Sequence, residues 1–448
     1  MNAAIHDSRS QALWRDAYDA VASAVSGFAA DARPMLTGFA ACVDKRIDLH
    51  VIAPALAREP GGQEFFAELM TRAKAGRGGE VLIDWPAGPQ FLDRFAKPYG
   101  TAIGGTSAQA AWTFACLGAP VVMALSDRSA QQLAPLHRDV KLIGDGGALV
   151  SVGDMRPAGA GKPAHYIVEY TAGRPLPGFT PDRSTRIIVR FADEDLEHDP
   201  LFGRYGRALG VGAGVALLSS PNCVSAERLP QALEWMASFA LAWKEAGMTV
   251  HLELGEYPVP GALEATLRRM AGSVTSIGLN FNELRSIGVD PAALEAQMTS
   301  FAERLRLTRL VVHADPWALA LTREDPEREL DALAMGCLLA SARAEAGRPV
   351  AKPHAPAAAM FAQPPRPPIS ERDGSEWRVV CCAAPFLRNP ASTVGLGDTF
   401  TAGAMLVHAC PPRPAVLANK AGLLAQSAAA GGRSGPPAGL PAANEMRS

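Results

Sequence analysis

The densest chemistry in the sequence lies between Ser392 and Ala404, in the run STVGLGDTFTAGA. Gly395 and Gly397 would let the backbone approach a ligand closely, and the small residues after Asp398 read as a helix to about Cys410. The free N–H groups at the start of such a helix form an anion site, built here from Gly395, Leu396 and Gly397. Asp398 stands at its mouth. A carboxylate beside a bound phosphoryl group is unfavourable unless it has a task, such as taking a proton from an attacking hydroxyl. The plainer reading is a helix cap after a flexible turn, and a short glycine motif by itself leaves both open.

Two further sets of residues bear on that choice. Asn280 and Glu283, in NFNE, follow a strand-like Val274 to Leu279 and so fall at a strand's C-terminal edge, where open α/β sheets bind ligands. Magnesium prefers carboxylate oxygen and retained water, which suits a lone Glu beside a nucleotide phosphate. On the preceding strand, alternation points His251 and Glu253 to one side. Alone, Glu283 reads equally well as a capping carboxylate and Glu253 as a buried charge with a structural partner.

Elements that would position these residues follow from the pattern of the second half. Helical periodicity over Leu229 to Ala246 ends at Gly247, and Met248 to Leu254 reads as a strand. Gly261 to Ala271, Pro291 to Leu305 and Glu327 to Ala346 read as helices, with strands at Val274 to Leu279 and Thr308 to His313. Short apolar strands alternating with helices predict a parallel sheet covered on both faces, a doubly wound α/β fold. Asp44 to Tyr99 breaks the rhythm with only short strand candidates, and HYIVEY and RIIVR after it read as strands of a small accessory sheet. Gly347 to Ser370, with seven prolines, reads as a surface loop or linker, and Gly431 to Ser448 as a disordered tail.

Composition narrows the class. Across 448 residues, 43 Lys+Arg against 45 Asp+Glu leave a formal charge of −2, with 48% hydrophobic and 20% charged residues. That describes a globular chain with no field to concentrate nucleic acid or anionic membrane. No uncharged apolar run reaches the length of about 18 residues that a membrane span needs. The seven cysteines form no CxxC pair, so a disulfide framework or structural zinc site is not expected. The first twenty residues carry His, Asp and Arg and lack the apolar core of a signal peptide, which makes the cytoplasm the expected compartment.

Taken together, STVGLGDTFTAGA, the NxxE set and the HxE set resemble the ADP-dependent glucokinase/phosphofructokinase family of the ribokinase-like superfamily. GFAACVD at Gly38 to Asp44, IGGTSAQAAWTFACLGAP at Ile103 to Pro120, HYIVEY at His165 to Tyr170 and VVHADPWALAL at Val311 to Leu321 extend the resemblance, in order, over about residues 37 to 410. It implies a three-layer αβα sandwich with a smaller, partly β lid. The large domain would comprise residues 1–43, 100–160 and 196–430, and the lid residues 44–99 and 161–195. The implied activity is Mg2+-dependent transfer of the terminal phosphoryl group of ADP to a sugar or sugar-phosphate hydroxyl.

The same resemblance implies the roles. Asp398 would be the general base, Gly395 to Gly397 the anion hole, and Glu283 and Glu253 the magnesium-holding residues with Asn280 in support. Asp44, Gly104, Gly105 and His165 would face the sugar, and Arg186 a phosphate of donor or acceptor. Departures from the family pattern fall at Thr106 and Ser107, at Phe281 and at Ala314. Glu80 would suit an unphosphorylated sugar, and Lys162 with Arg186 a sugar phosphate. An ATP-dependent kinase of the same superfamily, or a non-catalytic sugar- or nucleotide-binding regulator, are the alternative readings.

Overall fold

The computed structural model describes residues 8–96, 101–192, 196–289, 293–371, 374–418 and 420. The proposed tail and the start of the Pro291 helix lie outside them. Among the described residues the larger sheet has eleven strands. Its centre runs Arg309–Ala314, Ser276–Asn280, Thr249–Glu253, Val215–Ser219, Met35–Gly38, Val121–Met123, all parallel. Alternate residues of one strand serve opposite cores: Val215 and Leu217 join one apolar cluster, Ala216 and Leu218 the other. The strand is therefore buried on both faces, which is why it reads as an unbroken apolar run. Helices over both faces complete a three-layer αβα sandwich.

One expectation is corrected at the sheet's edges. Trp317–Thr322 returns antiparallel to Arg309–Ala314, Arg378–Ala383 and Ile369–Glu371 continue antiparallel, and Leu149–Ser151 is antiparallel at the far edge. The sheet is mixed because Asp315-Pro316 permits only a tight hairpin, too short for a crossover helix.

The helices carry readable ends. Leu229–Glu245 buries Leu233, Met236, Ala240 and Trp243 along one stripe and stops before Gly247 at φ 84°. Pro326–Ala346 starts with the Asp325 carboxylate accepting from Glu327 N–H and stops at Gly347, φ 73°. It packs on Leu396–Ala409 so closely that a Cβ on Gly336 would lie 2.6 Å from Phe400 O, and one on Gly403 2.8 Å from the Gly336 Cα. Those two glycines let the two helices touch backbone to backbone.

Ser8–Asp31, a stretch read above only for targeting, is a 24-residue helix that buries Trp14, Tyr18, Val21, Val25 and Phe28. The proline-rich 347–370 segment is also more than a linker. Phe361 is fully buried and stacks on Tyr18, and Gln11 Nε2 donates to Phe361 O at 2.6 Å.

A second sheet has five strands, in order Gly79–Leu82, Thr185–Arg190, His165–Tyr170, Cys42–Asp48, Thr101–Gly104. Helices Leu49–Leu56, Gln63–Lys74 and Gly88–Asp93, which the sequence reading of 44–99 passed over, cover one face with Ile52, Phe65, Leu69 and Phe91. Its strand Thr101–Gly104 comes from a stretch assigned above to the large domain. No helix among the described residues is long and apolar enough to cross a membrane.

Candidate active site

Gly395 adopts φ 71° and forms the N-cap of Leu396–Ala409, so the first intrahelical bond runs from Thr399 N–H to Gly395 O at 3.0 Å. The N–H groups of Leu396, Gly397 and Asp398 precede that bond and have no intrahelical acceptor. Asp398 is thus at the third helical position, not the cap. Burial raises its pKa; the Thr106 hydroxyl, which hydrogen-bonds the carboxylate, and the Arg343 and Arg186 cations pull it back, while Glu253 adds to the rise. The outcome is a carboxylate more basic than usual, held among donors.

Asp44 approaches from the smaller sheet. Register places it opposite His165, and strand alternation puts Asp44, Arg46, His165, Glu169 and Arg186 on the sheet's polar face, away from the aromatic cluster. Arg46 and Glu169 pair there at 2.7 Å. Asp44 Oδ1 lies 4.0 Å from His165 Nδ1 and accepts from Cys42 Sγ at 3.5 Å. Gly104 leaves the room: a Cβ there would sit 2.3 Å from Asp44 Oδ1. Gly105, at φ 84°, caps the helix Thr106–Cys116, whose first residue is the Thr106 that reaches Asp398. Arg186 donates to Thr393 Oγ1 at 3.4 Å, and burial lowers its pKa against the opposing pull of Asp398, Glu169, Asp44 and Asp315. The polar sheet face and the Gly395 turn therefore meet at Arg186.

The acidic group at the strand ends has an internal order. His251 Nε2 meets Glu253 Oε2 at 2.9 Å, Thr401 Oγ1 donates to the same oxygen at 3.1 Å, and His313 Nε2 lies 3.3 Å from Glu253 Oε1. Burial would raise the Glu253 pKa, but His251 and His313 overcome it and hold it at about 2. Glu283 is the opposite case: burial, with Glu253 and Glu256 adding to it, pushes it up to about 7 against the Asn280 N–H it accepts from. Asn280 Oδ1 accepts from Asn282 N–H at 2.9 Å and Glu283 N–H at 3.0 Å, and Glu283 Oε2 accepts from Asn280 N–H at 2.8 Å. The capping reading of NxxE is thus real.

These contacts test how a magnesium ion fits. Glu253 has donors on both oxygens and Asn280 Oδ1 is spent on the cap, so both suit an outer, orienting shell. Glu283, a part-buried carboxyl near Glu253 and Glu256, could offer an oxygen to such an ion.

Lys162 Nζ pairs with buried Glu197, and Glu80 pairs with Arg190 at 2.9 Å. Phe281 is a packing residue against Trp317, 5.4 Å between rings. Ser107 donates to Gly38 O at 2.6 Å, a structural bond. Sequence reasoning passed over His313, Arg343 and Gly278, and marked Thr106 only as a departure from the family pattern. For His313 a signal existed in the strand register that sets it beside Asn280; for Arg343 there was none.

Known proteins resemble this chain in sequence and in fold. The chain is 25% identical over 278 residues to the ADP-dependent glucose/glucosamine kinase of Pyrococcus furiosus, covering 54% of this chain. The matched part is 60% of that relative, under two-thirds of its length. A phosphofructokinase from Pyrococcus horikoshii OT3 with AMP superposes at TM-score 0.66, 19% identity, over 85% of this chain and 98% of its own. An ADP-dependent kinase complexed with fructose 6-phosphate and ADPβS superposes at 0.70, 16% identity, over 90% and 99%. These likenesses establish the shared fold. The conserved region of ADP-specific phosphofructokinase/glucokinase matches residues 36–407, spanning both sheets, the strand-end acids and the Gly395 turn, and the chain accordingly belongs to that family.

Proposed function

We propose that this chain is a magnesium-dependent sugar kinase that moves the terminal phosphoryl group of ADP to a hydroxyl of a sugar or sugar phosphate. The observation that carries the reading is the convergence on Asp398: a raised-pKa carboxylate at a helix N-terminus, beside two arginines, with Asp44 among the charges those arginines feel. Asp398 accepts the proton of the attacking hydroxyl, and its raised basicity suits that step near neutral pH. The N–H groups of Leu396 and Gly397 receive the negative oxygens of the transferred group, supported by the positive end of the helix dipole. Asp44 and His165 orient the sugar, with Gly104 and Gly105 allowing its close approach. Arg186 links the polar sheet face to the Gly395 turn and neutralises phosphate charge. The smaller sheet acts as the lid, and its closure excludes the water that competes as acceptor.

Glu283 would hold magnesium, with Glu253 and Asn280 acting on it through water or through Glu283. When bound, the ion supplies charge neutralisation at the donor phosphates. Both substrates are small and soluble, consistent with a cytoplasmic enzyme.

A donor-by-acceptor screen tests the reading, with ADP and ATP each paired with glucose, glucosamine and fructose 6-phosphate. Sugar phosphorylation with ADP is the expected result. Turnover with ATP alone replaces the donor, and no turnover with any pair supports the binding-protein alternative.

A further inference from the structure

Arg343 occupies the last turn of Pro326–Ala346, where an arginine ordinarily reaches for water. Here it is 3% exposed. Its guanidinium lies under the Gly395 turn: a Cβ built on Gly395 would come within 2.4 Å of Nη2 and 2.7 Å of Nη1. Nη1 donates to Thr399 Oγ1 at 2.8 Å, in the first turn of the site helix, and the Trp112 ring faces the guanidinium at 5.8 Å. Nε is buried without a hydrogen-bond partner among the described residues. The backbone ties the same two pieces together, Ala391 N–H donating to Ala344 O at 2.7 Å.

Burying an arginine this way is expensive unless its charge has work to do. Burial lowers its pKa to about 10, and the charges that resist this are Asp398 first and Asp44 second, with Arg186 opposing them. We infer that Arg343 is the fixed cation of this site, a positioning residue that braces the Gly395 turn from beneath and supplies the body's own positive charge facing Asp398. Arg186 comes from the other sheet and sits where a ligand phosphate competes for it. Arg343 is held by the protein itself, against Gly395, Thr399 and the Trp112 ring. Asp398 thus faces Arg343 from the long helix, Arg186 from the smaller sheet, Thr106 from the Gly105-capped helix, and Glu253 and His313 from the strand ends. Removing Arg343 leaves the acidic neighbour Glu253 opposed by one cation fewer.

The assignment of Asp398 as base rests on the proposed function, but the charge relationship is measurable without turnover. The 13C signal of the Asp398 carboxyl, identified by its loss in Asp398→Asn, is titrated in wild type, Arg343→Met and Arg343→Lys. A rise of about one pKa unit or more in Arg343→Met is expected, with Arg343→Lys keeping most of the wild-type value, since one unit corresponds to about tenfold in proton affinity. In the kinase assay, Arg343→Met should lower kcat on the order of 100-fold and move the acid limb of its pH profile upward. Its KM for ADP should change less than about threefold, as expected for loss of a transition-state interaction rather than of ground-state binding. Arg343→Lys should restore the limb but only part of kcat, because a point charge lacks the planar fork that fits under Gly395. If Arg343→Met fails to fold, the Arg343→Lys titration and kcat carry the test, and wild-type values for both overturn the proposal. An unmoved Asp398 titration in a folded Arg343→Met protein also overturns it. A moved titration in a protein that phosphorylates no acceptor upholds the charge role and removes the kinase reading instead.

Discussion

Gly278 stands opposite Glu253 in the parallel register, and a Cβ at Gly278 would fall 2.2 Å from Glu253 Oε2 and 2.6 Å from His251 Nε2. The missing side chain is the space in which the His251–Glu253 pair forms. From there the polar contacts run inward: His251 Nδ1 meets Ser276 Oγ at 2.8 Å, Arg309 Nη1 donates to the same hydroxyl at 3.1 Å, and Arg309 pairs with Glu329 at 2.8 Å. The HxE carboxylate is thus anchored to a buried ion pair rather than to a flexible loop.

Gly278→Ala should therefore displace Glu253 and cost about 1–3 kcal/mol of stability, the usual range for overpacking a tight site. Urea unfolding measures this, and a loss below about 0.5 kcal/mol, the level of a surface substitution, shows that the pair can shift aside.

Asp398→Asn keeps the shape of the side chain and removes its basicity. Turnover should fall by about 10²–10⁴-fold, the contribution typical of a general base. Calorimetry should find ADP binding preserved, and undiminished turnover takes the base role away from Asp398.

Glu283→Gln isolates charge from capping, because the glutamine oxygen can still accept from Asn280 N–H as Glu283 does at 2.8 Å. The variant should stay as stable as wild type while binding Mn2+, followed by its electron-spin-resonance signal, about tenfold or more weakly, the scale seen when groups of a metal site are altered. Equal Mn2+ affinity in the two proteins places the metal elsewhere.

The Arg309–Glu329 pair sets an acid limit on stability. Both groups are buried, and although burial would raise the Glu329 pKa, Arg309 and His408 hold it at about 2, below its ordinary 4.5. A depressed carboxyl pKa stabilises the fold above the unfolded value and ceases to do so as pH falls through the folded one. Stability should thus drop between pH 4.5 and 2 by an amount on the order of 3 kcal/mol from this group. Glu329→Gln should be less stable at pH 6, since it leaves Arg309 buried without its counter-charge, and flatter below pH 4.5. Parallel curves for the two proteins assign the acid sensitivity to other carboxyls.

Local pattern carried much of what the sequence alone determined. The helix Leu229–Glu245, the strand that follows it and the shared face of His251 and Glu253 follow from periods of 3.6 and 2, which need only neighbouring residues to be read. The GxGD turn was legible because glycine spacing constrains backbone within four residues. The hairpin that turns the sheet antiparallel after Ala314 was not, since a parallel and an antiparallel strand have the same apolar composition. The tertiary structure alone decided that Arg343, 55 residues before Asp398 in a helix of ordinary composition, becomes its counter-charge. That placement depends on Gly336 and Gly403 letting two helices touch backbone to backbone, and on burial converting a common surface residue into a cation confined beside an acid. Exposed charges are weakened by the high dielectric of water and screened over about 8–10 Å at physiological salt; burial is what makes a pair so far apart in sequence matter.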